Sequence, residues 1–363
     1  LKSAKDWINP AILSMQAYHV PPSSGLIKLD AMENPYGWPE ELRQEWLQEL
    51  KKVPLNRYPD PSATALKDRL RAAMEIPEHV AIMPGNGSDE LIQIVAMALA
   101  GTDRTFMSPE PGFVMYRLIS RTVNTGYYGV HLNPDDFSLD REAMLAAIRE
   151  HRPALIFIAY PNNPTGNLFD RDVVLEVIKQ APGLVVIDEA YHAFAGASFA
   201  GHLLDFENLL VMRTLSKSGL AGLRLGYLLG RQDIMDELEK IRLPYNINAL
   251  TQKTAEFILA HHEILAAQAA SICRHREALY RQLCGLDGIR AWPSAANFIL
   301  FRTGDLDANR IYEGLRKRGV LIKNLHGNHP LLHNCLRVTA GREEENAVFI
   351  ETLQQVMKDC YRP

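Results

Sequence analysis

Lys217 stands in the run Arg213-Thr-Leu-Ser-Lys217-Ser-Gly-Leu-Ala-Gly-Leu-Arg224-Leu-Gly-Tyr227, just beyond the apolar stretch Leu209-Leu-Val-Met212. A strand end is therefore expected to hold it. Ser216 precedes the lysine, Arg224 follows seven positions later, and Ser218, Gly219, Ala221 and Gly222 leave the backbone room to turn. An amine so placed suits imine formation beside a bound phosphate. A lysine is a good imine nucleophile only when its pKa is lowered or a carbonyl is held against it. The Ser216 hydroxyl and the Arg224 guanidinium are natural phosphate ligands. An isolated loop lysine is ordinarily just a solvated residue, so the weight of this reading rests on other junctions.

Four such junctions lie upstream. Gly85-Asn-Gly87-Ser88-Asp89-Glu90 leads into a helical pattern with Leu91, Ile92, Val95 and Leu99 on one face. Glycine and small polar residues at a helix start leave backbone N–H groups free for a phosphate. Phe113 follows Pro109-Glu-Pro-Gly112 at a second strand-to-helix junction. Tyr160-Pro-Asn-Asn163-Pro164-Thr-Gly166 enforces a turn after the run Ala154–Ala159, which fixes an asparagine amide outside a strand end. Asp188-Glu-Ala-Tyr191 follows Leu184-Val-Val-Ile187. A carboxylate ending a buried strand is costly unless a donor or cation meets it.

The elements that must carry these groups alternate. Apolar runs at Val80–Met83, Thr105–Met107, Ala154–Ala159, Leu184–Ile187 and Leu209–Met212 read as strands buried on both faces. Helical segments Ser88–Ala100, Phe113–Arg121, Arg141–Arg149 and Arg171–Gln180 lie between them. That order predicts an α/β fold with a largely parallel sheet, whose ligands bind beyond the carboxyl ends of the strands. Beyond Pro244 the pattern changes to a long helix or two joined helices over Asn248–Cys284, then Asn297–Phe301, a helix at Ala308–Arg318, Val320–Ile322, Cys335–Val338 and a last helix from Glu343. A smaller α+β lobe is expected there, packed with the N-terminal segment. The boundaries follow as an arm over 1–46, a large domain over 47–248 and a small domain over 249–363.

Bulk properties narrow the function. At 363 residues two lobes are expected. A net charge of −4 and a pI near 6.3 give no electrostatic case for nucleic acid or anionic membrane. No apolar run approaches the roughly 20 residues of a membrane span, and the first residues lack a signal-peptide core. Cys273, Cys284, Cys335 and Cys360 lie far apart, which points to reduced thiols and a cytoplasmic protein. His261-His262 and the loop residues His326, His329 and His333 have no carboxylate or cysteine at ligand spacing, so no metal is expected.

Taken jointly, the Gly-Ser-Asp-Glu, Asn-Pro-Thr-Gly, Asp-Glu-Ala-Tyr and Ser-Lys runs with Arg224 downstream resemble the fold-type I pyridoxal phosphate enzymes of the class I/II aminotransferase family, over essentially the whole chain. Asp30-Ala-Met-Glu-Asn-Pro-Tyr36, Asn56-Arg57-Tyr58-Pro-Asp60 and Leu243-Pro-Tyr-Asn-Ile-Asn248 are similar to the members that act on histidinol phosphate. The resemblance implies pyridoxal 5'-phosphate as cofactor, Lys217 as its covalent anchor and proton carrier, and Asp188 as partner of the pyridine nitrogen. It places Asn163 and Tyr191 on the ring oxygen and Phe113 against the ring face. By the same resemblance Gly87, Ser88, Asp89, Ser216 and Arg224 would surround the phosphate. Tyr58 would reach the neighbouring subunit's site, which implies a homodimer.

Arg337, in Leu336-Arg-Val-Thr339, matches the family's arginine for the substrate anion, with Tyr18, Asn163 and Lys323 as further substrate contacts. A single guanidinium fork accepts either phosphate or carboxylate, which suits alternate binding of histidinol phosphate and glutamate or 2-oxoglutarate. Two positions depart from the pattern: Phe113 stands where relatives often have tyrosine, and Lys323 where they often have arginine. The expected reaction is transamination of histidinol phosphate with 2-oxoglutarate. The rivals are an aromatic amino acid aminotransferase, a decarboxylase of a phosphorylated amino acid, and a regulatory domain without turnover.

Overall fold

A computed structural model describes residues 2–17 and 21–361. Its centre is a seven-stranded sheet of β1 (Ala81–Gly85), β2 (Thr105–Glu110), β3 (Gly126–His131), β4 (Leu155–Ala159), β5 (Leu184–Asp188), β6 (Leu209–Thr214) and β7 (Gly226–Gly230). The spatial order is β1-β7-β6-β5-β4-β2-β3. β3, β2, β4, β5 and β6 pair in parallel, whereas β7 runs antiparallel to both β6 and β1. Helices α1 (Glu40–Leu50), α2 (Thr64–Ala73), α3 (Ser88–Leu99), α4 (Val114–Thr122), α5 (Arg141–His151), α6 (Arg171–Gln180) and α7 (Gln232–Glu239) accompany it.

The continuous apolar runs have a direct cause. Ile156 and Ile158 of β4 belong to one core cluster, while Leu155, Phe157 and Ala159 belong to another. β6 divides the same way, with Leu209 and Val211 on one face and Leu210 and Met212 on the other. Because successive side chains point to opposite faces and both faces are covered, no polar alternation survives. The expected fold class is the one observed.

Two strands of this sheet were not evident in the sequence. β3 is an edge strand whose first four residues alternate between exposed and partly buried, so Gly126-Tyr-Tyr-Gly129 carries no apolar run. β7 begins and ends in glycine. A Cβ at Gly226 would lie 2.8 Å from the Ser88 nitrogen, and one at Gly230 would lie 2.4 Å from Leu210 Cδ2. Close packing by neighbours selects these glycines, and in sequence they read as turns.

The second layer is an antiparallel sheet of β8 (Arg290–Ala291), β9 (Phe298–Arg302), β10 (Lys323–Asn324) and β11 (Cys335–Thr339), in the order β10-β11-β9-β8. Of the two alternatives for Asn248–Cys284, the joined pair is observed: α8 (Ala249–Leu259) and α9 (His262–Cys284) meet at Ala260 and His261. α10 (Ala308–Lys317) and α11 (Glu343–Tyr361) pack against each other in the core of this part. The N-terminal segment joins the same layer: Ile27–Lys28 pairs in parallel with Val320–Leu321, and the Thr339 N–H donates to the Leu29 carbonyl at 2.9 Å. Beyond that point the segment turns toward the large sheet.

Candidate active site

The carboxyl ends of β4, β5 and β6 and the starts of α3 and α4 converge on one cleft of about 550 Å³. Ser88, Asp89, Phe113, Asn163, Asp188, Tyr191, Ser216, Lys217 and Arg224, all singled out from the sequence, line it. Parallel strands explain the convergence, since every strand-to-helix turn then falls on the same edge.

Asp188 is the last residue of β5 and only 4% exposed. The Tyr116 hydroxyl donates to its Oδ2 at 2.7 Å, and the Ala190 N–H donates to Oδ1 at 3.1 Å. Burial pushes its carboxyl up to about 6, against these two donors, which favour the charged form. A buried carboxylate served by neutral donors is under-compensated, so this end of the cleft favours a cation.

Lys217 follows β6 in a short helical turn, where Gly219 takes φ +108°. Its Nζ donates to the Ala31 carbonyl at 3.2 Å and lies 6.0 Å from the centre of the Tyr191 ring. Burial, then the Arg337 guanidinium, pulls the amine down to about 8. A sizeable neutral fraction at neutral pH makes it a nucleophile and a proton acceptor. Burial raises the Tyr191 phenol above its usual range, so its hydroxyl stays a donor.

At the other end, α3 begins at Ser88 after Gly87, which takes φ +86°. A Cβ at Gly87 would lie 2.7 Å from Arg224 Nη2, so glycine is what lets the guanidinium lie across the helix start. Arg224 itself has φ +49°, and its Nη2 meets Asp89 Oδ2 at 3.2 Å. The Thr214 hydroxyl donates to Ser216 Oγ at 2.9 Å. A helix N-terminus, a serine and an arginine around one concavity form an anion cradle.

Arg337, in the middle of β11, is 6% exposed. Its Nη1 donates to Asn163 Oδ1 at 2.5 Å and its Nη2 to the Asp30 carbonyl at 3.0 Å. The Asn163 amide is thus oriented with its Nδ2 donor left for the cleft. Phe298 lies under the guanidinium at 5.1 Å.

Of the other described candidates, Gly87 and Arg337 stand just behind the lining, against Arg224 and Asn163, whereas Tyr58 and Lys323 are apart from it. Tyr58 is 80% exposed and stacks on Tyr245 at 4.4 Å, outside the cleft. Lys323 sits opposite Arg337 in the β10–β11 register but does not line the cleft. Tyr18 lies outside the described residues. Conversely, Met32 and Thr214 line the cleft, and Tyr116 supports it, although none of them was a sequence candidate. Tyr116 sits three residues beyond Phe113 on the same helical turn, a spacing that signals a shared face. Met32 arrives through long-range hydrogen bonds: its N–H donates to Thr339 Oγ1 at 3.0 Å and its carbonyl accepts from Asn297 Nδ2 at 2.9 Å.

The Aminotransferase class I and II family model matches residues 24–353. Histidinol-phosphate aminotransferase 2 of Nitrosococcus oceani is 54% identical over 353 residues, covering 97% of this chain and 98% of the relative. Histidinol-phosphate aminotransferase 1 of Ralstonia nicotianae is 49% identical, covering 96% and 94%. Among solved structures, histidinol-phosphate aminotransferase from Sinorhizobium meliloti in complex with pyridoxal-5'-phosphate superposes with a TM-score of 0.86 at 24% identity, over 98% of this chain and 99% of that one. Fold, converging site and full-length similarity agree, and the chain belongs to the class I and II aminotransferase family.

Proposed function

We propose that this chain is a pyridoxal-phosphate-dependent transaminase. It would convert L-histidinol phosphate and 2-oxoglutarate to imidazole-acetol phosphate and glutamate. The observation that carries the chemistry is the pairing, in one cleft, of a buried amine lowered to about 8 with a buried carboxylate that meets neutral donors and, among the described residues, no cation. The substrate choice is supported by the names and full-length similarity of the relatives.

The residues present fit the cofactor. Lys217 Nζ would anchor it, Asp188 would meet the ring nitrogen, and the glycine-floored cradle of Ser88, Asp89, Ser216 and Arg224 would take the phosphate. Asn163 Nδ2 and the Tyr191 hydroxyl are donors for the ring oxygen, and Phe113 offers an aromatic face. When bound, the cofactor supplies an electron sink for charge developing at the substrate Cα. Lys217 Nζ would take the proton from the substrate Cα and deliver it to the cofactor's aldehyde-derived carbon, the transfer that transamination requires.

Arg337 would bind the substrate's phosphate or carboxylate, exchanging the Asp30 carbonyl for an oxyanion while keeping its bond to Asn163. Lys323 and Tyr18 are further candidates for that anion. Tyr58, exposed and not among the residues lining its own cleft, fits a contribution to the neighbouring subunit of a homodimer.

The test is a half-reaction. Cofactor-loaded protein mixed with histidinol phosphate should lose its visible absorbance and release a stoichiometric imidazole-acetol phosphate, with phenylalanine ineffective. Absorbance loss with phenylalanine alone would favour the aromatic aminotransferase, and carbon dioxide release from a phosphorylated amino acid would favour the decarboxylase.

A further inference from the structure

Tyr116 is 1% exposed on α4, with its ring parallel to Phe157 of β4 at 4.6 Å and edge-on to Phe113 at 5.5 Å. The hydroxyl is the polar end of that ring, and it spends its proton on Asp188 Oδ2 at 2.7 Å. Burial raises the phenol well above its usual range, so it donates and never competes as an anion. Asp188 Oδ1 is taken by the Ala190 N–H at 3.1 Å, so the two donors fix the plane of the carboxylate from opposite sides. The helix that presents Phe113 to the cleft therefore also aims the carboxylate.

We propose that Tyr116 is a positioning residue that holds the Asp188 carboxylate in its charged form and in one orientation, rigidly coupled through α4 to the aromatic face at Phe113. The inference rests on the assignment of Asp188 to a cationic ring, but the bond itself exists in the protein without cofactor and can be tested there.

The charges that bear on Asp188 are Asp89 from α3 and Glu189 beside it, both of which oppose ionisation; Tyr191 is the other neighbouring phenol. The folded-state carboxyl stands at about 6, above its unfolded value of 3.8. The folded protein then binds more protons than the unfolded chain between those values, so stability falls as pH rises through that window and levels off above it. Removing the Tyr116 hydroxyl pushes the folded carboxyl higher still and extends the loss to higher pH.

The experiment compares wild type and Tyr116→Phe, which keeps the ring stack. Urea denaturation of the cofactor-free proteins should show a larger stability deficit for the variant at pH 8 than at pH 5. After loading, the variant should lose kcat by roughly 10- to 100-fold, the range for a hydrogen bond to a charged group, with KM for the amino donor nearly unchanged. Its visible absorbance should also titrate differently with pH from wild type. A deficit equal at both pH values, or an unaltered kcat and spectral titration, overturns the proposal. Should Tyr116→Phe fail to fold, 4-aminophenylalanine in place of Tyr116 keeps a ring-borne donor at the same reach; retention of the wild-type pH dependence supports the role, and its loss overturns it. Wild-type protein that refuses the cofactor while the apo pH effect persists would refute the cofactor assignment alone.

Discussion

Two arginine–carboxylate pairs flank the cleft, and their surroundings give them opposite work. Arg213 Nε meets Glu189 Oε2 at 2.9 Å with side-chain exposures of 8% and 0%. The Phe199 N–H donates to Glu189 Oε1 at 2.6 Å, and Ser198 Oγ lies 2.9 Å from both carboxylate oxygens and from Arg213 Nη2. This pair joins the end of β6 to the turn after β5, the two pieces of chain that deliver Lys217 and Asp188. Arg224 and Asp89, by contrast, are 50% and 45% exposed and share a single contact of 3.2 Å. A buried pair whose two carboxylate oxygens each accept a hydrogen bond behaves as a fixed strut. A half-solvated one opens cheaply, which is what a residue handing its guanidinium to an incoming phosphate requires.

The largest expected effect comes from breaking the strut. Glu189→Ala leaves Arg213 buried without its counter-charge and should cost about 3–5 kcal/mol of stability, read by urea denaturation of the cofactor-free protein. A loss below 1 kcal/mol would mean that water reaches the pair.

Burial also sets the behaviour of Lys217. With its amine at about 8, cofactor capture by the apo-protein should speed up as pH rises toward 8 and then level off, because the neutral form attacks. Stopped-flow absorbance from pH 6 to 10 reads this directly, and a rate still climbing steeply at pH 10 would place the amine in water. The smallest effect belongs to the rim. Asp89→Ala should change stability by less than about 1 kcal/mol, while isothermal titration with pyridoxal phosphate reports whether freeing Arg224 alters affinity. A destabilisation comparable to that of Glu189→Ala would erase the distinction between strut and latch.

The legible part of the site follows a pattern. Asp188, Asn163, Ser216 and Lys217 each stand within a few residues beyond an apolar run, and a parallel sheet forces such positions onto one edge. Tyr116 was hidden because a tyrosine within a helical pattern looks like core, and its ring is core; only the hydroxyl's 2.7 Å approach to Asp188 gives it a second role. Met32 was hidden because short-range patterns say nothing of a bond to a threonine more than 300 residues away. β7 was hidden because neighbours press on Gly226 and Gly230, and that pressure is invisible in one dimension.

Local chemistry in the chain was enough to establish the alternating elements, the cluster of strand-end polar groups and the amine–arginine spacing, since these depend on side-chain periodicity and turn residues. Only the folded chain decided which groups touch. Arg337 reaches Asn163 across 174 positions, and Lys217 finds its acceptor in the Ala31 carbonyl 186 positions away. Those meetings, and the burial that moves Lys217 and Asp188 to about 8 and about 6, arise from the packing of two sheets and an N-terminal strap. The dielectric a side chain feels is a property of everything around it, and no stretch of sequence carries that by itself.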